Sequence, residues 1–325
     1  MVQIQASQIR WTSGEGRLNK FMGETSKRII SGVTLGAAII LALNLPDFLY
    51  AVLILGLILA ASLLGVVEFY GLSDRGLDGR PVKGVGIFFA VLLIFTYYLQ
   101  YLGIRATNGH PAPSFLTPDI AYVANHSVPF VLMLLVIVAM SAHLIFRPLD
   151  GTVYGVTTTI FGVIYPCMTL CHAFLILAEE RGLFFFVVVA LATIGTDTGA
   201  YFAGRYFGKH NAGLKVSPRK TIEGYVGGFV FSILLMLGFL YCWKRFAYEI
   251  HMGYVEMALF TAVLSVISVF GDLVESAIKR DSKKKDSAAL IPGHGGMLDR
   301  GDSLYFTIPI GYFYLYIRGI AGLTL

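Results

Sequence analysis

The sequence predicts an all-α protein, a polytopic transmembrane helical bundle of about nine spans, and three observations carry that reading. Apolar residues make up 56% of the chain and charged residues 14%, against about 45–50% and about 25% in soluble domains. Mean hydropathy is +0.71, so a bilayer suits this composition better than water does. The apolar residues fall in stretches of membrane-crossing length, and the basic residues collect in alternate loops.

A hydrocarbon core of about 30 Å needs roughly 20 residues of helix. Along the chain the stretches are 29–45, 48–67, 84–104, 128–146, 153–178, 183–204, 223–243, 254–278 and 303–323. The first two are divided only by Pro46 and Asp47, which predicts a tight helical hairpin. After the third comes the longest outer loop, 105–127, with Asn108, Gly109, Pro111, Pro113 and Pro118, an irregular connection. The fifth contains Cys167, Cys171 and His172, read as packing residues together with Cys242 of the seventh; an odd cysteine count without paired spacing excludes a disulfide framework or zinc site. The sixth carries Asp197 and several glycines and is the weakest span by composition. Lone glutamates such as Glu68 and Glu179 read as helix-end solvation.

Orientation follows from the basic residues. With the N-terminus in the cytoplasm, residues 1–28, 68–83, 147–152, 205–222 and 279–302 lie on that side and hold 20 of the 25 Lys and Arg. The other side keeps Arg105, Arg181, Lys244, Arg245 and Arg318. An odd number of spans preserves this alternation. The net charge of +5 therefore reads as topology plus a phosphate site, and nucleic acid is not an expected partner. Residues 1–28 form a polar cytoplasmic segment without the short apolar region of a cleavable signal. Residues 29–178 form the N-terminal transmembrane helices, and 179–325 a C-terminal catalytic transmembrane region with cytoplasmic loops 205–222 and 279–302.

Two charged loops carry the chemistry. The first runs from Gly195-Thr-Asp197-Thr-Gly199-Ala-Tyr201 through Gly204 to Ser217-Pro-Arg-Lys220-Thr221-Ile-Glu-Gly224. An ionised Asp197 in mid-membrane costs about 2.5–3.5 kcal/mol on insertion scales unless it faces a wet cavity, a cation or a basic partner. Ser217, Lys220 and Thr221 set hydroxyls and an ammonium around one turn, which suits phosphate oxygens. The plainer alternative is a solvated basic loop before a helix, with Ser217 and Pro218 near its start and Glu223 in its first turn.

The second loop runs Asp272-Leu-Val-Glu-Ser276-Ala-Ile-Lys279-Arg280, then Lys283-Lys284-Lys285-Asp286, then Pro292-Gly-His294-Gly-Gly296-Met-Leu-Asp299-Arg300-Gly-Asp302. Asp272, Ser276 and Lys279 share a helical face at i, i+4, i+7. Asp299 and Asp302, three apart where a new helix begins, would share another. Acids at the mouths of successive spans, with a basic loop between, make a place for a metal and a polyphosphate; hard oxygen ligands suit Mg²⁺. Lys283 and Lys284 read as a juxtamembrane basic cluster for anionic lipid. His294 has two readings, a hydrogen bond that holds the glycine turn or a substrate contact.

The segment Ser276-Ala-Ile-Lys-Arg-Asp-Ser-Lys-Lys-Lys285-Asp286, continued by His294-Gly-Gly-Met-Leu-Asp299-Arg300-Gly-Asp302, resembles the signature of the phosphatidate cytidylyltransferases, or CDP-diacylglycerol synthases. Asp197-Thr-Gly-Ala-Tyr201 and Ser217-Pro-Arg-Lys-Thr-Ile-Glu-Gly224 resemble the same family. One departure is Ile194, where the family often has Trp. The resemblance covers residues 195–303 and rests upstream on hydropathy alone.

It implies an enzyme of the bacterial cytoplasmic (inner) membrane, commonly a homodimer, with its active site facing the cytoplasm. CTP and phosphatidic acid, drawn from among the membrane lipids, would yield CDP-diacylglycerol and pyrophosphate. It also implies a Mg²⁺ site on Asp272, Asp299 and Asp302, which K⁺ can share. Lys220, Lys279, Arg280 and Lys285 would neutralise phosphates, and Ser217, Thr221 and Ser276 would donate neutral hydrogen bonds. Asp286 would orient Lys285 or a metal-bound water. Asp197, His294 and Arg300 complete the substrate-binding set. Two other classes stay open. A CTP-using lipid kinase would release CDP in place of pyrophosphate. A transporter would use Asp197 for ion coupling, against which stands the lack of a clear inverted repeat.

Overall fold

A computed structural model describes residues 46–76, 79–246, 250–283 and 296–320. All regular elements among them are helical, beyond one isolated bridge between Asn211 and Thr221. Nine helices follow in order: α1 Asp47–Ser73, α2 Lys83–Thr107, α3 Pro118–Phe146, α4 Thr152–Ala178, α5 Gly182–Phe207, α6 Ile222–Phe246, α7 Tyr254–Asp281, the short α8 Met297–Gly301 and α9 Leu304–Ile320. The chain divides into two units, Met1–Leu53 and Ile54–Leu325. Of the first, residues 46–53 are described; they begin α1, with the Tyr50 N–H donating to the Pro46 carbonyl at 2.9 Å. The second unit holds the remaining helices and the site.

Helices α1 to α7 are each long and apolar enough to cross a membrane, and the chain is an integral membrane protein. They coincide with seven of the nine expected stretches, including the one that carries Asp197. Stretch 29–45, and with it the expected hairpin, lies outside the described residues. Stretch 303–323 appears as α9, with 17 residues described.

Local chemistry explains the ends. Thr117 caps α3, its hydroxyl accepting from the Ile120 N–H at 3.3 Å, with Pro118 next in the chain. Helix α4 widens into a π turn over Ile164–Met168, around Pro166, which has no N–H to give. His172 lies in the core, its Nδ1 2.9 Å from the Met168 carbonyl and its ring between Tyr97 and Tyr312. Cys167 and Cys171 are buried as expected, whereas Cys242 is exposed on α6.

Contacts sort the loops into two ends. At one, Arg75 pairs with Asp281 at 2.5 Å and lies over the Tyr154 ring, and Lys220 pairs with Asp272. At the other, the Asn108 amide donates to the Ala178 carbonyl, Lys244 to the Met252 carbonyl and Arg318 to Glu256. The first end gathers the loops richest in Lys and Arg.

Helices α5 and α6 pack along a seam of small residues, as membrane helices do where backbones approach closely. A Cβ on Gly199 would stand 3.0 Å from the Gly228 Cα, and one on Gly228 would stand 2.6 Å from the Thr196 carbonyl oxygen. Helix α7 packs on both, and α9 on α4, α5 and α7. This arrangement sets the C-terminal half of α5, the start of α6 and the end of α7 around one space.

Candidate active site

That space is a cavity of about 620 Å³, within the usual range of about 300–1,000 Å³ for ligand sites. Helix α5 contributes Asp197, Ala200, Tyr201, Gly204 and Arg205, the loop before α6 contributes Arg219, Lys220 and Thr221, and Asp272 and Asp302 approach from α7 and from the end of α8. Three carboxylates and three cations thus line a single chamber.

The loop is folded over the chamber by its own backbone. The Ala212 N–H donates to the Lys220 carbonyl at 2.9 Å and the Ile222 N–H to the His210 carbonyl at 3.0 Å. Gly213 turns the chain with φ +70°, a conformation glycine tolerates best. Helix α6 starts at Ile222, later than Ser217-Pro218 suggested. Thr221 caps it, accepting from the Gly224 N–H at 3.1 Å, while Glu223 in the first turn accepts from the His210 N–H at 3.1 Å. The result is a Lys220 held inward against Asp272.

Burial pushes the Lys220 ammonium below its ordinary pKa, and the carboxylates of Asp197 and Asp302 oppose that shift. Burial likewise raises the Asp302 carboxyl, with the Ser303 N–H, donating at 2.6 Å, and the charges of Lys279 and Lys220 working the other way. Both groups are half-buried on the cavity wall, where burial disfavours their charged forms.

Of the expected site residues, Asp197, Lys220, Thr221, Asp272 and Asp302 line the cavity. Asp299 does not. Its Oδ1 is 2.7 Å from Lys279 Nζ and its Oδ2 accepts from the Gly296 N–H at 3.0 Å. Lys279 in turn stands 2.5 Å from Glu275, which is 1% exposed. Lys279, expected on substrate phosphate, lies off the cavity wall between the carboxylates of Glu275 and Asp299. Ser217 and Ser276 are half-buried, and Arg280 and Arg300 exposed, all off the cavity wall. Lys285, Asp286 and His294 lie outside the described residues.

Sequence reasoning missed Arg205, Arg219, Tyr201 and Glu275. The face Asp197, Ala200, Tyr201, Gly204, Arg205 has spacing i, i+3, i+4, i+7, i+8, which would have found two of them. Glu275 stands i−4 from Lys279, a pairing distance on a helix. Glu68 was misread. It is 3% exposed, and its two carboxylate oxygens accept from the N–H groups of Met297 and Leu298 at 2.7 and 2.8 Å. It caps α8 from α1 and is not solvated.

Among the described residues, no three His, Cys, Asp or Glu side chains gather closely enough to hold a metal unaided. Asp272 and Asp302 on one wall still fit Mg²⁺, which binds through one or two carboxylates and takes its remaining ligands from water and substrate phosphates.

The fold and the cavity define an integral membrane protein whose loop end carries a chamber lined by three carboxylates and three basic side chains. The chain belongs to the cytidylyltransferase family, whose sequence model matches residues 26–318. Among curated relatives, it is 40% identical over 137 residues to the phosphatidate cytidylyltransferase of Bacillus subtilis, covering 42% of this chain and 49% of that one. It is 46% identical over 128 residues to that of Staphylococcus epidermidis, covering 39% and 46%. To that of Haemophilus influenzae it is 44% identical over 142 residues, covering 42% and 48%. The matched stretch spans about half the length of these relatives.

Proposed function

We propose that the protein is a phosphatidate cytidylyltransferase, joining CTP and phosphatidic acid to give CDP-diacylglycerol and pyrophosphate. The observation that carries this is the chamber in which Asp272 and Asp302 face Lys220, Arg205 and Arg219, together with relatives bearing that name.

A phosphate oxygen of the lipid attacks the α-phosphorus of CTP. The new oxygen–phosphorus bond forms as the bond from the α-phosphorus to its bridging oxygen breaks, and pyrophosphate leaves with that electron pair. The lipid phosphate is already anionic, so no general base and no covalent enzyme intermediate are needed. The barrier is charge repulsion and alignment, which positioned charges reduce. Lys220, Arg205 and Arg219 hold phosphate oxygens and offset their charge. Asp272 and Asp302 would hold Mg²⁺, which supplies neutralisation of the triphosphate and the leaving group. K⁺ sharing that site and a homodimeric assembly complete the proposal. Asp197, accessible in mid-helix, orients Lys220 from the opposite wall. CTP enters from the loop end, which faces the cytoplasm by its basic loops, and the lipid enters sideways.

The test uses purified protein, phosphatidate, Mg²⁺ and CTP labelled in either the α or the γ phosphate. Transfer of the α label to the lipid phase with release of pyrophosphate is expected. Transfer of the γ label would make the protein a lipid kinase. No labelled lipid under any divalent ion would defeat the proposal.

A further inference from the structure

Helix α8 is five residues long, too short to hold itself in place, yet it delivers Asp302 to the cavity. Its position is set from outside at three points. Glu68 of α1 takes the N–H groups of Met297 and Leu298 at its start. Lys279 of α7 takes Asp299 in its middle. At its end, α7 presses on the Asp302–Ser303 backbone: a Cβ on Gly271 would come within 2.7 Å of the Asp302 carbonyl oxygen, and the Ser303 hydroxyl donates to the Ser268 carbonyl at 3.1 Å.

The Glu68 contact differs from the other two. It is a carboxylate buried in an apolar helix, where such a charge is expensive, and both its oxygens meet backbone donors that would otherwise go unsatisfied at a helix start. Charge-assisted bonds of this length are strong, and losing the acceptor leaves one buried and one half-buried N–H group without it. The contact joins residues more than two hundred positions apart, tying α1, which contributes nothing to the cavity wall, to the turn that carries the acids.

We propose that Glu68 is a positioning residue for the cytidylyl transfer, setting through α8 where the Asp302 carboxylate stands in the chamber. This rests on the proposed function. The residue touches neither substrate nor cation; it acts through Met297 and Leu298.

Glu68→Ala and Glu68→Gln, in the full chain in detergent or nanodiscs, test it with two readouts. Outer-shell partners of ligating carboxylates typically change affinity or activity by about 10–100-fold. Glu68→Ala is therefore expected to lower kcat/KM by that factor and to raise the half-saturating Mg²⁺ concentration. Glu68→Gln, which keeps one acceptor oxygen, should fall in between, and it carries the test if the alanine variant does not fold. Hydrogen exchange over residues 296–303 should accelerate in the same order. Folded variants with an unchanged Mg²⁺ requirement, or a lower melting temperature alone, would overturn the role. An inactive wild type would sink the proposed function and this role with it, while exchange unaltered at 296–303 overturns the clamp by itself.

Discussion

Two clusters of charge lie at the same end of the bundle and have opposite designs. In the chamber, Lys220 pairs with Asp272 while Asp197 and Asp302 line the same cavity, and neither Lys220 nor Asp302 keeps its ordinary affinity for protons. Off the cavity wall, Lys279 lies 2.5 Å from Glu275 and 2.7 Å from Asp299, and Glu68 closes on the α8 backbone. The first cluster opens onto a cavity; in the second, one ammonium is shared by two carboxylates. Acids close in a motif need not share surroundings. Asp299 and Asp302 are three residues apart and belong to different clusters.

Breaking the closed cluster should have the largest effect. Lys279→Met leaves Glu275 buried opposite Asp299 with no cation between, and removing one partner of a buried set costs about 3–5 kcal/mol. Thermal unfolding in detergent should show a large drop in midpoint, together with lost activity. An unchanged midpoint would place Lys279 with the substrate after all.

The open cluster should respond in rate and not in stability. Asp302→Asn and Asp272→Asn are each expected to lower CDP-lipid formation by on the order of 10²–10³-fold, as loss of a positioned charge does, with the melting midpoint held or raised. Near-normal Mg²⁺-dependent turnover in both would remove them from the cation site.

A smaller effect separates the clusters by pH. Burial raises the Asp302 carboxyl, so its ionised form is present only above that raised value and is lost as pH falls through it. Without divalent cation, the Asp302 carboxyl, followed by infrared difference spectroscopy against Asp302→Asn, should titrate with its midpoint above the ordinary aspartate value of about 3.9. A midpoint at or below that value would contradict the burial argument.

The smallest effect belongs to neither cluster. Arg75 and Asp281 pair at 2.5 Å with both side chains open to solvent, and exposed pairs contribute little. Arg75→Ala should leave turnover and melting midpoint unchanged. A clear loss in either would mean that the loop end is tied together more tightly than its exposure implies.

Much of this was legible in the chain itself. Helices α1 to α7 follow from apolar stretches, because in hydrocarbon the backbone must satisfy itself within each segment and about 20 apolar residues suffice. The loops richest in Lys and Arg do meet at one end. Lys220, Asp272 and Asp302 were marked by charge at the mouths of spans. The role of Glu68 was not legible, since nothing in the sequence near residue 68 announces a partner at 297.

The sequence by itself therefore determined the seven long apolar helices and marked Lys220, Asp272 and Asp302, which line the cavity, because those signals depend on neighbours within a few turns. Only the tertiary structure decided how the charges divide. Lys279 lies between Glu275 and Asp299, and Glu68 meets the start of α8, because α7 packs closely on the Asp302–Ser303 backbone at Gly271 and so fixes where α8 stands. A charge pair is worth forming inside a membrane only where geometry brings both partners out of water together.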